Sequence, residues 1–160
     1  MGNIEYDRIV NCYADMVYRV ALSYAKSIYD AEDVVQTTFM KLLLNGEHFN
    51  DEEHIRKWLI RVAINECNNI WSSYWRKNVD LKDDISHNTS FTSEDKSELY
   101  YAVMDLPSKY RIVIYLFYYE GYSTGDIAGL LHANETVVRT RLTRGRRKLK
   151  EKLGEVWRDE

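Results

Sequence analysis

The densest chemistry in this sequence lies between residues 139 and 152. There Arg139, Arg141, Arg144, Arg146, Arg147, Lys148, Lys150 and Lys152 stand against a single acid, Glu151, a net of +7. On a helix, such a cluster is the electrostatic footprint of phosphate binding. The plainer reading is a solvated helix face whose cations complement the C-terminal dipole. Spacing adds to the first reading. Arg139, Thr140, Thr143 and Arg144 fall at i, i+1, i+4 and i+5, opposite a Val138/Leu142 apolar stripe. Arginine bonds guanine with two hydrogen bonds, and threonine offers thymine a hydroxyl and a methyl. Arg141, Arg146, Arg147 and Lys148 then suit the DNA backbone. Gly145, in mid-helix, costs about 1 kcal/mol against alanine and calls for a close approach to justify it.

A second cluster mixes rings and cations: Trp58, Trp71, Tyr74 and Trp75, interleaved with Arg56, Lys57, Arg61, Arg76 and Lys77. Single-stranded bases stack on rings while nearby cations neutralise their backbone. Trp58 sits on an apolar stripe and reads as core instead. For Trp71, Tyr74 and Trp75 both readings stay open. Enzyme signatures are missing: His48, His54, His87 and His132 form no metal-ligand spacing, and there is no GxGxxG, P-loop or GxSxG. No catalytic residue, metal or cofactor is therefore expected.

The elements that carry these clusters are helices. Ile9, Tyr13, Met16, Val17, Val20, Ala21 and Tyr24 recur at three- and four-residue steps, which is one apolar stripe. After a break near Ser27-Ile28-Tyr29, Asp30 is the expected N-cap of a helix bearing Val34, Val35, Thr38, Phe39, Leu42 and Leu43, closed by Asn45-Gly46. Residues 47–53 read as a loop, and a third helix carries Ile55, Trp58, Leu59, Val62 and Ala63 on towards Trp75. Periodicity is then lost from about Arg76 to Ser97, where Val79, Leu81, Ile85 and Phe91 are the sizeable apolar residues. Helix resumes at Leu99 and stops before Pro107, where Ser108 is placed to cap the next helix, with Ile112, Val113, Leu116 and Phe117. Glu120-Gly121-Tyr122 is a turn, Ser123 caps Thr124 to Leu131, and His132-Ala133-Asn134 leads into the basic helix. A short helix, a tight turn and a basic helix make a helix-turn-helix, whose second helix enters the major groove.

The expected fold is thus all-α: two small helical domains, residues 1–76 and 99–160, joined by a flexible linker, residues 77–98. Composition agrees: 160 residues with 45% hydrophobic side chains, one proline and seven glycines exclude collagen, a disordered tail and a turn-rich β-sandwich. Two cysteines, Cys12 and Cys67, cannot staple a secreted scaffold, so the expected compartment is the cytoplasm. No apolar run approaches the roughly 18 residues of a membrane span, and the N-terminus lacks a signal peptide's basic and apolar regions. The net charge of −3 hides a division: −4 over residues 1–75, −2 over 76–98 and +3 over 99–160. The acidic parts, Asp80, Asp83 and Asp84 among them, would suppress stray DNA binding until a partner occupies them.

Asp30-Ala31-Glu32-Asp33-Val34-Val35-Gln36, Trp58-Leu59-Ile60-Arg61-Val62-Ala63-Ile64-Asn65, Leu106-Pro107-Ser108-Lys109-Tyr110-Arg111, Ser123-Thr124-Gly125-Asp126-Ile127-Ala128 and Val138-Arg139-Thr140-Arg141-Leu142 follow one another in order. Together they resemble the extracytoplasmic-function sigma factors of bacterial RNA polymerase, from about Ile9 to Leu153 with the linker unmatched. The resemblance implies a promoter-specific initiation factor without catalysis or small-molecule substrate. It places Glu32, Asp33 and Gln36 on the surface that docks core RNA polymerase; the next family position is often acidic but is Thr37 here. It places Asn65, with Arg61 and Trp71, beside a flipped base of the melted −10 promoter DNA, where an amide can pair with a base edge. It assigns the −35 element to Arg139, Thr140, Thr143 and Arg144, and implies an anti-sigma factor as a further partner. The family usually carries alanine where this chain has Gly145. The competing expectation is a helix-turn-helix regulator whose N-terminal domain dimerises, on half-sites about one helical turn apart.

Overall fold

Every regular element of the computed structural model is helical among the described residues, which are 2–25, 27–45, 48–77 and 98–154. The linker residues 78–97, with Val79, Asp80, Leu81, Asp83, Asp84, Ile85 and Phe91, lie outside them, as do Gly46, Glu47 and the side chains of Tyr74 and Trp75. Seven α-helices are described: α1 Asn3–Ala25, α2 Ile28–Leu44, α3 Glu52–Lys77, α4 Glu98–Met104, α5 Ser108–Ile114, α6 Thr124–Leu131 and α7 Glu135–Leu153. A π-helical turn, Tyr115–Tyr119, extends α5. The chain divides into two units, one carrying α1–α3 and the other α4–α7.

In the first unit each helix contributes one face to a shared core. Ile9, Val17, Val20 and Ala21 of α1 meet Ala31, Val34 and Leu42 of α2 and Leu59, Ile60 and Ala63 of α3, all essentially inaccessible to water. Burying a side chain of this size contributes about 1.5–3 kcal/mol, so helix propensity is secondary to packing here. Tyr13 and Tyr24, expected on the α1 stripe, are only half-buried. Their hydroxyls reach α3: Tyr13 donates to the Glu52 carboxylate and Tyr24 donates to Asn68 Oδ1 at 2.6 Å. Burial, with that bond second, pushes the Tyr13 phenol up to about 12. Thr38 Oγ1 is fully buried without a hydrogen-bond partner.

Three local expectations are corrected. The N-cap of α2 is Ser27, whose Oγ accepts the Asp30 N–H at 3.3 Å, so Asp30 lies in the first turn. Its carboxyl is raised above its ordinary value by burial and then by Asp33. Leu43 faces away from the core at 52% exposure, because the inward face of α2 is centred on Thr38 and Leu42. Finally, Pro107 rather than Ser108 holds the N-cap position of α5, and it makes no side-chain cap bond. A proline suits that end because its missing N–H leaves no donor unsatisfied.

Arg111 supplies what the α4–α5 junction lacks. The buried guanidinium donates through Nη1 to the Leu106 carbonyl at 2.6 Å and to the Met104 carbonyl at 3.4 Å, satisfying acceptors at the end of α4. Burial lowers its pKa to about 10, which still leaves it charged. That contact is the physical content of the Leu106–Arg111 motif. Below it, Leu106, Ile112, Val113, Leu116, Ile127, Leu130, Val138 and Leu142 form the second core.

Candidate nucleic-acid interface

Polar caps set the helix-turn-helix. Ser123 Oγ accepts the Asp126 N–H at 3.1 Å and starts α6, and Asn134 Oδ1 accepts the Val137 N–H at 2.9 Å and starts α7. Between them His132 takes left-handed backbone, φ 54°, and Ala133 N–H returns to the Ala128 carbonyl at 3.0 Å. The turn is therefore tight, and α7 leaves it with Val138, Leu142, Gly145 and Leu153 buried.

The outer side of α7 carries the expected readers. Arg139, Thr143 and Arg144 are exposed, and Thr140 is half-buried with Oγ1 donating to the Thr136 carbonyl at 2.9 Å. Arg147 is also exposed and follows Thr140, Thr143 and Arg144 at i+7, i+4 and i+3, so it belongs to the same face. Arg139 flanks that face and is held: its Nη2 donates to Glu135 Oε2 at 2.8 Å, and the same oxygen accepts the Thr124 hydroxyl at 2.6 Å. The Thr124 bond, then Arg139, hold the Glu135 carboxyl below its ordinary value.

The remaining cations do not all face outward to a duplex. Arg146 turns back onto the π-helical turn, where Nε donates to the Tyr118 hydroxyl at 2.5 Å and the guanidinium lies 5.6 Å from the Phe117 ring centre. Lys148 Nζ stands 5.8 Å from the Tyr110 ring centre, and Lys152 pairs with Asp105 at 3.2 Å. Arg141 is half-buried. Gly145 earns its place: a Cβ there would stand 2.7 Å from Ile114 Cδ1 and 3.4 Å from Tyr110 Cβ. A methyl group there would have to push the tip of Ile114 aside, so the close approach of α5 to α7 favours glycine.

In the first unit, Arg61 and Asn65 are exposed one turn apart on α3, and exposed Asn69 continues their strip. The i, i+4, i+8 spacing could have revealed Asn69. Trp71, 40% exposed, does not join them, since six residues on from Asn65 puts it roughly 120° round the helix. Trp58 is half-buried edge-on to Phe49, ring centres 5.7 Å apart, and Phe49 meets His54 at 5.1 Å. Asp51 Oδ1 accepts the His54 N–H at 2.8 Å, and His54 Nδ1 accepts the Asn50 N–H at 3.1 Å. These two bonds, to Asp51 and from Asn50, fix how the chain enters α3.

On α2, Glu32, Asp33 and Gln36 are all exposed. Tyr29, Met40, Leu43 and Leu44, at 72%, 57%, 52% and 79% exposure, extend their side of the helix in both directions. All seven fall within one stripe at helical spacing, opposite the core. Aromatic, methionine and leucine side chains exposed side by side form an apolar patch of the kind that partner proteins cover. The apolar members were missed from sequence. Their signal was the departure of Tyr29, Met40 and Leu44 from the core stripe.

Residues 9–78 match the family model of Sigma-70 region 2, and residues 96–149 match that of Sigma-70, region 4. The RNA polymerase sigma factor SigV of Bacillus subtilis (strain 168) is 28% identical over 145 residues, covering 85% of this chain and 85% of its own. The ECF RNA polymerase sigma factor SigW of the same strain is 27% identical over 172 residues, covering 92% of this chain and 88% of its own. Among solved structures, sigma factor RpoE of Bartonella quintana, in complex with the anti-sigma factor NepR, aligns with a TM-score of 0.70 at 22% identity, over 93% of this chain and 96% of that one. CnrH, in complex with the cytosolic domain of CnrY, aligns with a TM-score of 0.64 at 21% identity, over 95% of this chain and 89% of that one. The two structural likenesses speak to the fold. Among the described residues, no helix is long and apolar enough to cross a membrane.

Proposed function

Because this chain belongs to the extracytoplasmic-function group of sigma-70 factors, we propose that residues 1–76 dock core RNA polymerase and hold the −10 strand, that residues 77–98 link, and that residues 99–160 read −35. The protein itself is a non-enzymatic initiation factor that directs promoter-specific transcription. Its place of work is the cytoplasm, where polymerase and promoter meet.

The observation that carries the division of labour is the mixed acidic and apolar stripe on α2, Tyr29 to Leu44, set in a different unit from the basic face of α7. A DNA-binding surface alone would need only the second. Glu32, Asp33 and Gln36 supply polar specificity to the docking contact, and the apolar side chains supply the area. Arg139, Thr140, Thr143 and Arg144 take base edges in the major groove, and Arg147 with Arg141 and Lys148 takes phosphates. Asn65, with Arg61 one turn earlier, receives an unpaired base. Opening then follows from trapping a base that has left the stack. The set of partners is completed by an anti-sigma factor, the class of protein seated on the Bartonella quintana relative.

Run-off transcription with bacterial core polymerase on a promoter library tests this reading. Start sites that depend on the protein and share −35 and −10 elements are expected. The absence of both protein-dependent starts and core binding would overturn it. A dimeric helix-turn-helix regulator is the weaker account, because the two regions matched are those of one initiation factor in their natural order.

A further inference from the structure

We propose that Glu135 is a positioning residue that fixes the direction in which Arg139 meets its base. The inference rests on the reading of Arg139 as a base contact. Glu135 lies in the first turn of α7, and its Oε2 holds two groups at once: the Thr124 hydroxyl from the start of α6 at 2.6 Å, and Arg139 Nη2 one turn along α7 at 2.8 Å. The start of α6 lies beside the same carboxylate: a Cβ added at Gly125 would stand in ordinary contact with Glu135 Oε1, at 3.9 Å. One side chain thus ties the two helices of the motif to the guanidinium of a reader.

A carboxylate is a costly choice at this place. It sits where α7 approaches a polyanion, and it repels phosphate. Nor is stability a sufficient reason, since an exposed i,i+4 ion pair contributes little to folding. Orientation is a sufficient one. An arginine presents five donors in a rigid planar fork. With one arm on Glu135, the plane of the fork is set, and its other edge is left to make a two-bond contact with guanine. The Thr124 hydroxyl keeps the carboxylate from swinging away with the arginine. An ion pair without that third group would leave the fork free to rotate.

The experiment uses the full chain with core polymerase on promoters randomised at each −35 position, and reads the preference for the favoured base position by position. Arg139→Ala first identifies the position that Arg139 reads. Glu135→Ala is expected to reduce discrimination at that same position by roughly 5-fold, the lower end of what a two-bond arginine–guanine contact provides. The position read by Arg144 should keep its preference, and Glu135→Ala should add no loss to Arg139→Ala. Thr124→Val, which changes no charge, is expected to weaken discrimination at the same position. Overall DNA affinity should rise in Glu135→Ala, because a repulsive charge is gone.

If Arg139→Ala loses a position and Glu135→Ala does not, the proposal is overturned while the base contact stands. If Glu135→Ala loses discrimination evenly across all positions with a lowered melting temperature, Glu135 serves the fold and the proposal is again overturned. If Arg139→Ala loses no position, the base contact itself fails, and the proposal falls with it.

Discussion

Gly145 faces Ile114 across the α5–α7 contact without room for a methyl group: an added Cβ would lie 2.7 Å from Ile114 Cδ1. This chain fills the space from the opposite helix. Alanine would gain about 1 kcal/mol of helix propensity but force a buried side chain aside at about 1–3 kcal/mol. Gly145→Ala should therefore lower stability by about 1 kcal/mol, and Ile114→Val in that background should restore it. A double-mutant cycle by urea unfolding checks the coupling; additive effects would refute the contact.

Arg144 is exposed on the outer face of α7. Arg144→Ala should relax preference at a single −35 position, at a cost of about 1–3 kcal/mol, in a competition assay on variant promoters. Uniform weakening across sequences would make it a phosphate contact.

Arg146 and Arg147 are adjacent in sequence but turn different ways, Arg146 onto Tyr118 and Phe117 and Arg147 outward. Loss of a phosphate contact lowers the slope of log affinity against log salt by about 0.9. That loss is expected for Arg147→Ala, and a smaller one for Arg146→Ala, in salt titrations of promoter binding. Equal losses would put both on the backbone.

Asn65 is exposed and takes no part in the first core. Asn65→Ala should leave core polymerase binding and melting temperature unchanged while slowing opening on duplex promoters, read by permanganate footprinting. Pre-melted templates should rescue it. Failure of core binding in this variant would assign Asn65 to the docking surface instead.

Burial and Asp33 raise the Asp30 carboxyl above 3.8, so the folded protein holds this proton more tightly than the unfolded chain. Stability from this group is present at low pH and is lost as pH rises through its folded pKa. Asp30→Asn should therefore raise the melting temperature at pH 7, with the gain shrinking towards pH 4. A gain independent of pH would refute the cause.

Much of this was legible in the sequence because the helices bury one face each. Val17, Leu59 and Leu142 announce themselves by spacing, and Ser123 caps α6 as its residue type suggests. The misses are places where a contact distant in sequence decides. Serine and aspartate both cap helices, and only the backbone direction at residue 27 chooses Ser27 over Asp30. Charge alone suggests phosphate for Arg146 and gives no sign of the aromatic turn 28 residues earlier, where its Nε donates to Tyr118. The π-helical turn itself shows no periodic mark, since its Glu120 N–H to Tyr115 carbonyl bond, 3.2 Å, depends on how the segment is packed.

His132 closes α6 with left-handed backbone, a conformation that costs a side-chain-bearing residue about 1–2 kcal/mol. Glycine would relieve the strain, but it would also admit many other backbone settings. Histidine narrows the settings open to the corner between α6 and α7, and the Thr124–Glu135 bond braces it from the far side. The two helices then behave as a bent lever rather than a hinge. On the function proposed above, the angle at which α7 enters DNA is then set within the protein before any promoter is met.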